Sequence, residues 1–135
     1  MNATVAIQWI GASHLLQPPI TLVLAKRFGL ADAFAGLAPL AAQIARNMGF
    51  AAVVLPTSMG VLVGLQADDV VAGGGARHLA WLVSAFWTWR LYRQRTVGRH
   101  FPRVLEGRAW NWLLAAIFFV QGPLLAIVLV YAKGC

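Results

Sequence analysis

The chain has 135 residues, of which 60% are hydrophobic and 11% are charged, and its formal net charge is +7. Soluble globular domains carry about 25% charged residues, so this composition excludes that class. It predicts a helical membrane protein with several spans, folded as a single domain over residues 1–135. The basic residues lie mostly beside apolar stretches, which favours a topology signal and attraction to anionic lipid over a nucleic-acid partner.

The first predicted span covers residues 4–25 and is followed directly by Lys26 and Arg27. Because these basic residues come after the apolar stretch rather than before it, the pattern indicates a retained span and not a cleaved signal peptide. Pro18 and Pro19 lack the backbone N–H that a helix uses. They predict a kink near the middle of the span.

The second long helix is predicted from Pro39, which suits the first position of a helix, to about Gln66. Its membrane-buried part is residues 48–65. The following segment, residues 66–75, combines two aspartates with three consecutive glycines. Glycine runs do not hold a helix well, so this segment is predicted to be a loop.

Two further spans are predicted at residues 76–95 and 109–132. The loop between them is rich in arginine and the loop after the first span is also basic, whereas the loop between the second and third spans carries two aspartates. By the positive-inside rule the two basic loops are cytoplasmic, which places both termini outside. The Ala-, Gly- and Arg-rich composition suits a bacterial inner membrane.

Polar side chains at matching depth accompany the prolines near the centres of three spans, and the third span has a serine at the same depth. A polar group inside a bilayer needs a partner, so these side chains predict a polar layer inside the bundle. Two interpretations are open: a ligand or transport site at the midplane, or hydrogen bonds that only hold the helices together. The histidine is also a candidate ligand for a haem or a pigment, although the sequence contains no metal-ligand cluster. The candidates are His14, Gln17, Thr57, Ser58, Ser84 and Gln121.

Arg46 precedes Pro56 by 10 residues in the second helix, and Arg90-Leu91-Tyr92 stands at the end of the third span. With four spans and both termini outside, this pattern resembles the MAPEG family, whose members are trimeric membrane proteins of eicosanoid and glutathione metabolism. The resemblance implies a glutathione- or lipid-dependent transferase. It also implies that Arg46, Arg90 and Tyr92 hold an anionic cosubstrate on the cytoplasmic side.

No serine–histidine–aspartate set, carboxylate pair or phosphate-binding glycine loop occurs in the sequence, so no motif requires a cofactor. The leading hypothesis is a small membrane protein that acts by association, as a homo-oligomer or as an accessory subunit of a larger membrane complex. The alternatives are a MAPEG-like transferase and a protein that binds or transports a small molecule or lipid through the polar layer. Candidates for binding an anionic head group or a small anion on the cytoplasmic side are Arg46, Arg90, Tyr92 and Arg93.

Overall fold

A computed structural model of the protein describes residues 2–27, 29–97 and 108–132. Across these ranges nearly every residue lies in a helix and no strand occurs, which confirms the predicted all-α class. Most of the arginine-rich loop lies outside the described residues. This includes Arg99 and Arg103, on which part of the topology prediction rests.

Within each described range, short connections join the successive helices. Two long helical segments are interrupted, the first by a 3-10 turn and the last by a π turn. In chain order the elements are α1 (Ala3–Ser13), the 3-10 turn (His14–Leu16), α2 (Gln17–Arg27), α3 (Leu30–Ala35), α4 (Pro39–Leu65), α5 (Ala67–Ala72), α6 (Gly75–Val97), α7 (Arg108–Phe119), the π turn (Val120–Leu124) and α8 (Leu125–Tyr131).

The 3-10 turn between α1 and α2 comes directly before Pro18 and Pro19. These prolines have no N–H to donate to the carbonyl groups four residues earlier. The Gln17 N–H donates instead to the His14 carbonyl, in the tighter spacing of a 3-10 helix. The interruption therefore occurs where the sequence predicts a kink.

The longest element, α4, has 27 residues, which corresponds to a length of about 40 Å. It begins with Pro39 in its first turn, as the sequence predicts. The helix continues through Pro56 to Leu65, although that proline removes one backbone hydrogen bond. The packing of its second half against α1 holds the helix together across this point.

The prediction of a loop over residues 66–75 is wrong for its first part, because Ala67–Ala72 forms α5. Val70 is fully buried in the core, and two aspartates in the first turn suit the positive end of the helix dipole. The helix ends at Gly73, whose φ of 87° lies in the left-handed region that glycine adopts easily. Burial of Val70 and the helix dipole thus stabilise a helix over Ala67–Ala72, and this helix ends where the glycines begin.

The core lies where α1, α4, α6 and the α7–α8 segment meet. Contacts are densest between α1 and α4 and between α6 and the π turn. The core is built from branched aliphatic residues and alanines, joined by two aromatic rings. Its most deeply buried apolar residues are Ile7, Val63, Ala67, Val70, Ala80, Leu125 and Leu129.

Glycines set the distance between α1 and α4. A Cβ added to Gly11 would overlap the backbone of Gly64, and a Cβ on Gly60 would overlap the ring of His14. Small residues four apart on a helix let a neighbouring backbone approach closely. Gly60 and Gly64 therefore form the face of α4 on which the first helical segment packs.

Two helical segments, Pro39–Leu65 and Asn111–Tyr131, are long and apolar enough to cross a membrane. In the most apolar stretch of each, only 22% and 33% of the residues are buried within the protein. A core helix of a soluble protein hides most of its apolar residues, whereas Pro39–Leu65 leaves most of its residues exposed and Asn111–Tyr131 buries a minority of its own. Of the remaining predicted spans, residues 4–25 are divided by the 3-10 turn, and α6 carries arginines towards both of its ends.

Candidate functional site

Two glutamines join the first and last helical segments inside the bundle. The Gln17 Nε2 donates a hydrogen bond to the Gln121 Oε1 at 2.8 Å, and both side chains are buried. The Gln121 Nε2 in turn donates to the Ser13 Oγ at 3.4 Å. The kinked first segment and the π turn therefore meet through a buried polar contact.

The π turn opens the backbone beside this glutamine pair. Pro123 has no N–H, so the regular hydrogen-bond ladder of the helix cannot pass through it. The Gly122 carbonyl accepts a hydrogen bond from the Ser84 Oγ at 2.9 Å. A Cβ on Gly122 would lie 2.6 Å from the Thr88 backbone nitrogen, which shows how closely α6 approaches this turn.

His14 is fully buried, and its ring lies against Gly60. Its Nδ1 is 2.9 Å from the Ile10 carbonyl oxygen. A carbonyl can only accept, so Nδ1 carries the proton of this hydrogen bond. In the neutral ring, Nε2 is then a free acceptor.

Five buried polar atoms have no hydrogen-bond partner within the described part of the chain, and three of them are His14 Nε2, Thr57 Oγ1 and Trp87 Nε1. The centroids of the His14 and Trp87 rings are 5.7 Å apart, and Thr57 lies one helical turn from the glycine that the histidine ring contacts. Their chemistry is complementary, because an indole N–H donates, the imidazole nitrogen accepts and a hydroxyl group does both.

The predicted polar layer is not formed by all of its candidate residues. Ser58 lies on the exposed side of α4, whereas its neighbour Thr57 is buried. Successive residues of a helix are about 100° apart, so only one of the two can face the bundle. Ser84 bonds to the π turn and not to the histidine.

The candidate anion-binding residues Arg46, Arg90, Tyr92 and Arg93 are all exposed. Because α5 is a short connection between α4 and α6, these two helices run antiparallel. The beginning of α4, with Arg46, therefore lies towards the same end as the last turns of α6, which carry the other three. The Arg90 guanidinium is 5.7 Å from the centroid of the Phe118 ring, within the range of a cation–π contact.

Metal binding has little support from the geometry. Among the residues that the structure describes, no group of three or more His, Cys, Asp or Glu side chains could hold a metal ion. Ligation of a haem or a pigment by His14 stays a prediction. Nε2 would be the ligating atom, since Nδ1 is hydrogen-bonded.

Sequence reasoning did not select three residues that shape the site: Gly60, Gly64 and Trp87. The G-x-x-x-G spacing of the two glycines in an apolar helix is a recognised signal of close packing and could have been found. Arg77 is buried and donates from Nη2 to the Leu129 carbonyl oxygen. This hydrogen bond joins α6 to α8.

Replacement of Gln121 by leucine is expected to lower the free energy of unfolding by about 1 kcal/mol, because the Gln17 amide then stays buried without its partner. The double variant Gln17→Leu/Gln121→Leu is expected to recover most of this loss. Unfolding in mixed detergent micelles measures both. Strictly additive losses in the double variant would contradict a direct interaction between the two amides.

The described residues therefore provide a buried polar cluster with an unused histidine nitrogen, and an exposed arginine-rich end. Comparison of the chain with protein-family models, curated proteins and solved structures found no match.

Proposed function

We propose that this protein is an integral protein of a bacterial inner membrane that crosses the bilayer four times, with both termini outside. The crossings are residues 4–25, 48–65, 76–95 and 109–132. We further propose that it acts by association, with other copies of itself or as an accessory subunit of a larger membrane complex. One observation carries the second proposal: among the described residues, the first half of α4 has an apolar stripe that is largely exposed.

The exposed apolar surface supports membrane insertion. Large hydrophobic side chains are exposed on every long helical segment, with Trp9, Leu22, Leu40, Phe50 and Leu65 all at least 70% accessible. A soluble monomer rarely exposes such continuous apolar surface. Exposure of apolar side chains to water costs free energy, and contact with lipid tails removes this cost.

The lengths of the remaining two segments also suit a bilayer. The segment from α1 to α2 covers residues 3–27 and α6 covers residues 75–97, which correspond to about 37 Å and about 35 Å, against a hydrocarbon core of about 30 Å. The arginines of α6 lie near its two ends, where long basic side chains reach the interface. Arg77, the buried one, donates to a backbone carbonyl.

The first half of α4 supports association. Over residues 39–55, Ala42 is the one buried residue. In the second half of the helix, Pro56, Thr57 and Gly60 are all buried. An apolar stripe defined by Leu40, Ile44 and Met48 repeats every four residues along one side of this half, and its members are 50–70% exposed. On another side of the same half, Gln43 and Asn47 are also exposed, and their amides can hydrogen-bond to a partner chain.

Native mass spectrometry of the protein released from membrane nanodiscs tests the association. We expect particles that contain several copies of the chain, or this chain with other subunits. A protein that is monomeric both in nanodiscs and after crosslinking in intact membranes would refute the proposal.

A second candidate function is binding of a small polar ligand at the buried polar cluster. The three unpartnered atoms of His14, Thr57 and Trp87 support it, because each leaves about 1–3 kcal/mol of hydrogen-bonding free energy unused. We expect a bound species that the wild-type protein retains and the His14→Ala variant loses. The idea fails if His14→Ala and Gln121→Leu change neither the bound species nor the stability.

A MAPEG-like transferase is a further proposal. The resemblance at Arg46 and at Arg90-Leu91-Tyr92 supports it, together with the placement of these exposed side chains towards one end of α4 and α6. Isothermal titration with glutathione decides the matter: we expect binding that Arg90→Ala weakens. Absence of binding at millimolar glutathione would remove this candidate.

A further inference from the structure

An apolar groove with a volume of about 570 Å³ runs between α4 and α6. Its walls include Ala52, Leu55, Met59, Leu82, Phe86 and Trp89. Arg90 is the charged residue among those that line it. The volume lies within the range of about 300–1,000 Å³ that is typical of ligand pockets.

The shape and charge of the groove indicate its occupant. It follows residues 51–59 of α4 and 82–90 of α6, which makes it about 12 Å long at the helical rise of 1.5 Å per residue. Its lining is apolar apart from Arg90. An amphiphile with an extended acyl chain and one anionic group matches this distribution of apolar surface and charge.

The position of Arg90 along the groove follows from the directions of the two helices. Because α4 and α6 run antiparallel, Arg90 lies at the end of the groove that is nearer the arginine-rich end of α6. In the proposed topology this end faces the cytoplasmic interface. A guanidinium group there can bind a phosphate through two hydrogen bonds, and its contact with the Phe118 ring restricts where it points.

We propose that this groove binds one acyl chain of an anionic phospholipid from the cytoplasmic leaflet, with the head-group phosphate at Arg90. This inference rests on the proposed membrane crossing by α4 and α6, and it does not depend on association. A lipid that only surrounds the protein would show no preference for this groove or for this arginine.

Native mass spectrometry with two lipids of identical acyl chains, phosphatidylglycerol and phosphatidylcholine, tests the proposal. We expect the wild-type protein to retain phosphatidylglycerol about fivefold more tightly, the preference that one basic residue provides at a membrane surface. Arg90→Gln is expected to abolish this preference. Arg27→Gln, at an exposed arginine of α2 on the proposed cytoplasmic side, is the matched control and is expected to keep it.

A second pair of variants tests the groove itself. Ala52→Phe fills the groove and is expected to weaken retention of both lipids, whereas Ala12→Phe, at an exposed alanine of α1, is expected to leave it unchanged. Equal retention of the two lipids by the wild type, or equal loss of preference in Arg90→Gln and Arg27→Gln, would overturn the proposal. The same spectra count the chains in each particle, so failure of lipid binding is distinguishable from failure of association.

Discussion

Replacement of Gly60 by alanine is expected to lower the free energy of unfolding by about 2 kcal/mol. Two effects oppose each other: alanine favours a helix over glycine by about 1 kcal/mol, whereas overpacking a tight core costs about 1–3 kcal/mol and sometimes more. The overlap is expected to dominate here, because the added Cβ would overlap the ring of His14. That ring is fully buried and is hydrogen-bonded to Ile10, so it has no free space to turn into.

A double-mutant cycle with His14→Ala separates this overlap from a general effect of the substitution. Once the ring is removed, Gly60→Ala is expected to cost less than about 0.5 kcal/mol, because the two sites interact only through their contact. Gly49→Ala is the control on the same helix, since a Cβ there meets nothing within 4 Å. If Gly60→Ala were as harmless as Gly49→Ala, the packing of His14 on α4 would be incorrect. Unfolding by detergent titration measures all four variants.

Simultaneous replacement of Leu40, Ile44 and Met48 by alanine is expected to convert the assembled protein into single chains. These side chains extend from the half of α4 that packs on little else in the chain. Leu40 and Ile44 precede the proposed crossing at residues 48–65, so association there removes apolar surface from water. Loss of three such contacts is expected to weaken association at least tenfold, with little change in the fold of the single chain.

The control for this triple variant has the same kind of side chain in a different place. Leu15, Leu16 and Leu22 are exposed on the first helical segment, and their replacement by alanine is expected to preserve the assembly. Mass measurement in nanodiscs compares the two triple variants directly. If the assembly survived the α4 substitutions but not the control substitutions, the interface would lie on the first helical segment and the prediction would be contradicted.

The helical class and the start of α4 could be predicted from the sequence because both follow from local rules. Composition alone indicates helices, and Pro39 marks a helix start through its fixed backbone angle and missing N–H. The kink before Pro18 follows from the same chemistry. The error over residues 66–75 has the opposite cause: burial of Val70 is a tertiary effect, and it outweighed the local preference of the glycines that follow.

The candidate site could be predicted only in part. Depth along the spans suggested that Gln17 and Gln121 could meet, since both lie near the middle of their spans, and their amides are hydrogen-bonded. Depth says nothing about rotation around a helix axis, so Ser58 was grouped with Thr57 although the two face different directions. The contact of Trp87 with His14 was also out of reach, because it depends on how α6 packs beside the 3-10 turn.

Cysteine labelling of the membrane topology is the most direct measurement of the central proposal, a chain that crosses the bilayer four times. In a Cys135→Ser background the protein has no cysteine, so single cysteines can be introduced at Asn2, Ala31, Asp68 and Thr96. The proposed topology predicts that a membrane-impermeant maleimide labels the positions at Asn2 and Asp68 from outside. The positions at Ala31 and Thr96 should react only after the membrane is permeabilised. Labelling of all four positions from the same side, or release of the protein from membranes by alkaline carbonate, would contradict it.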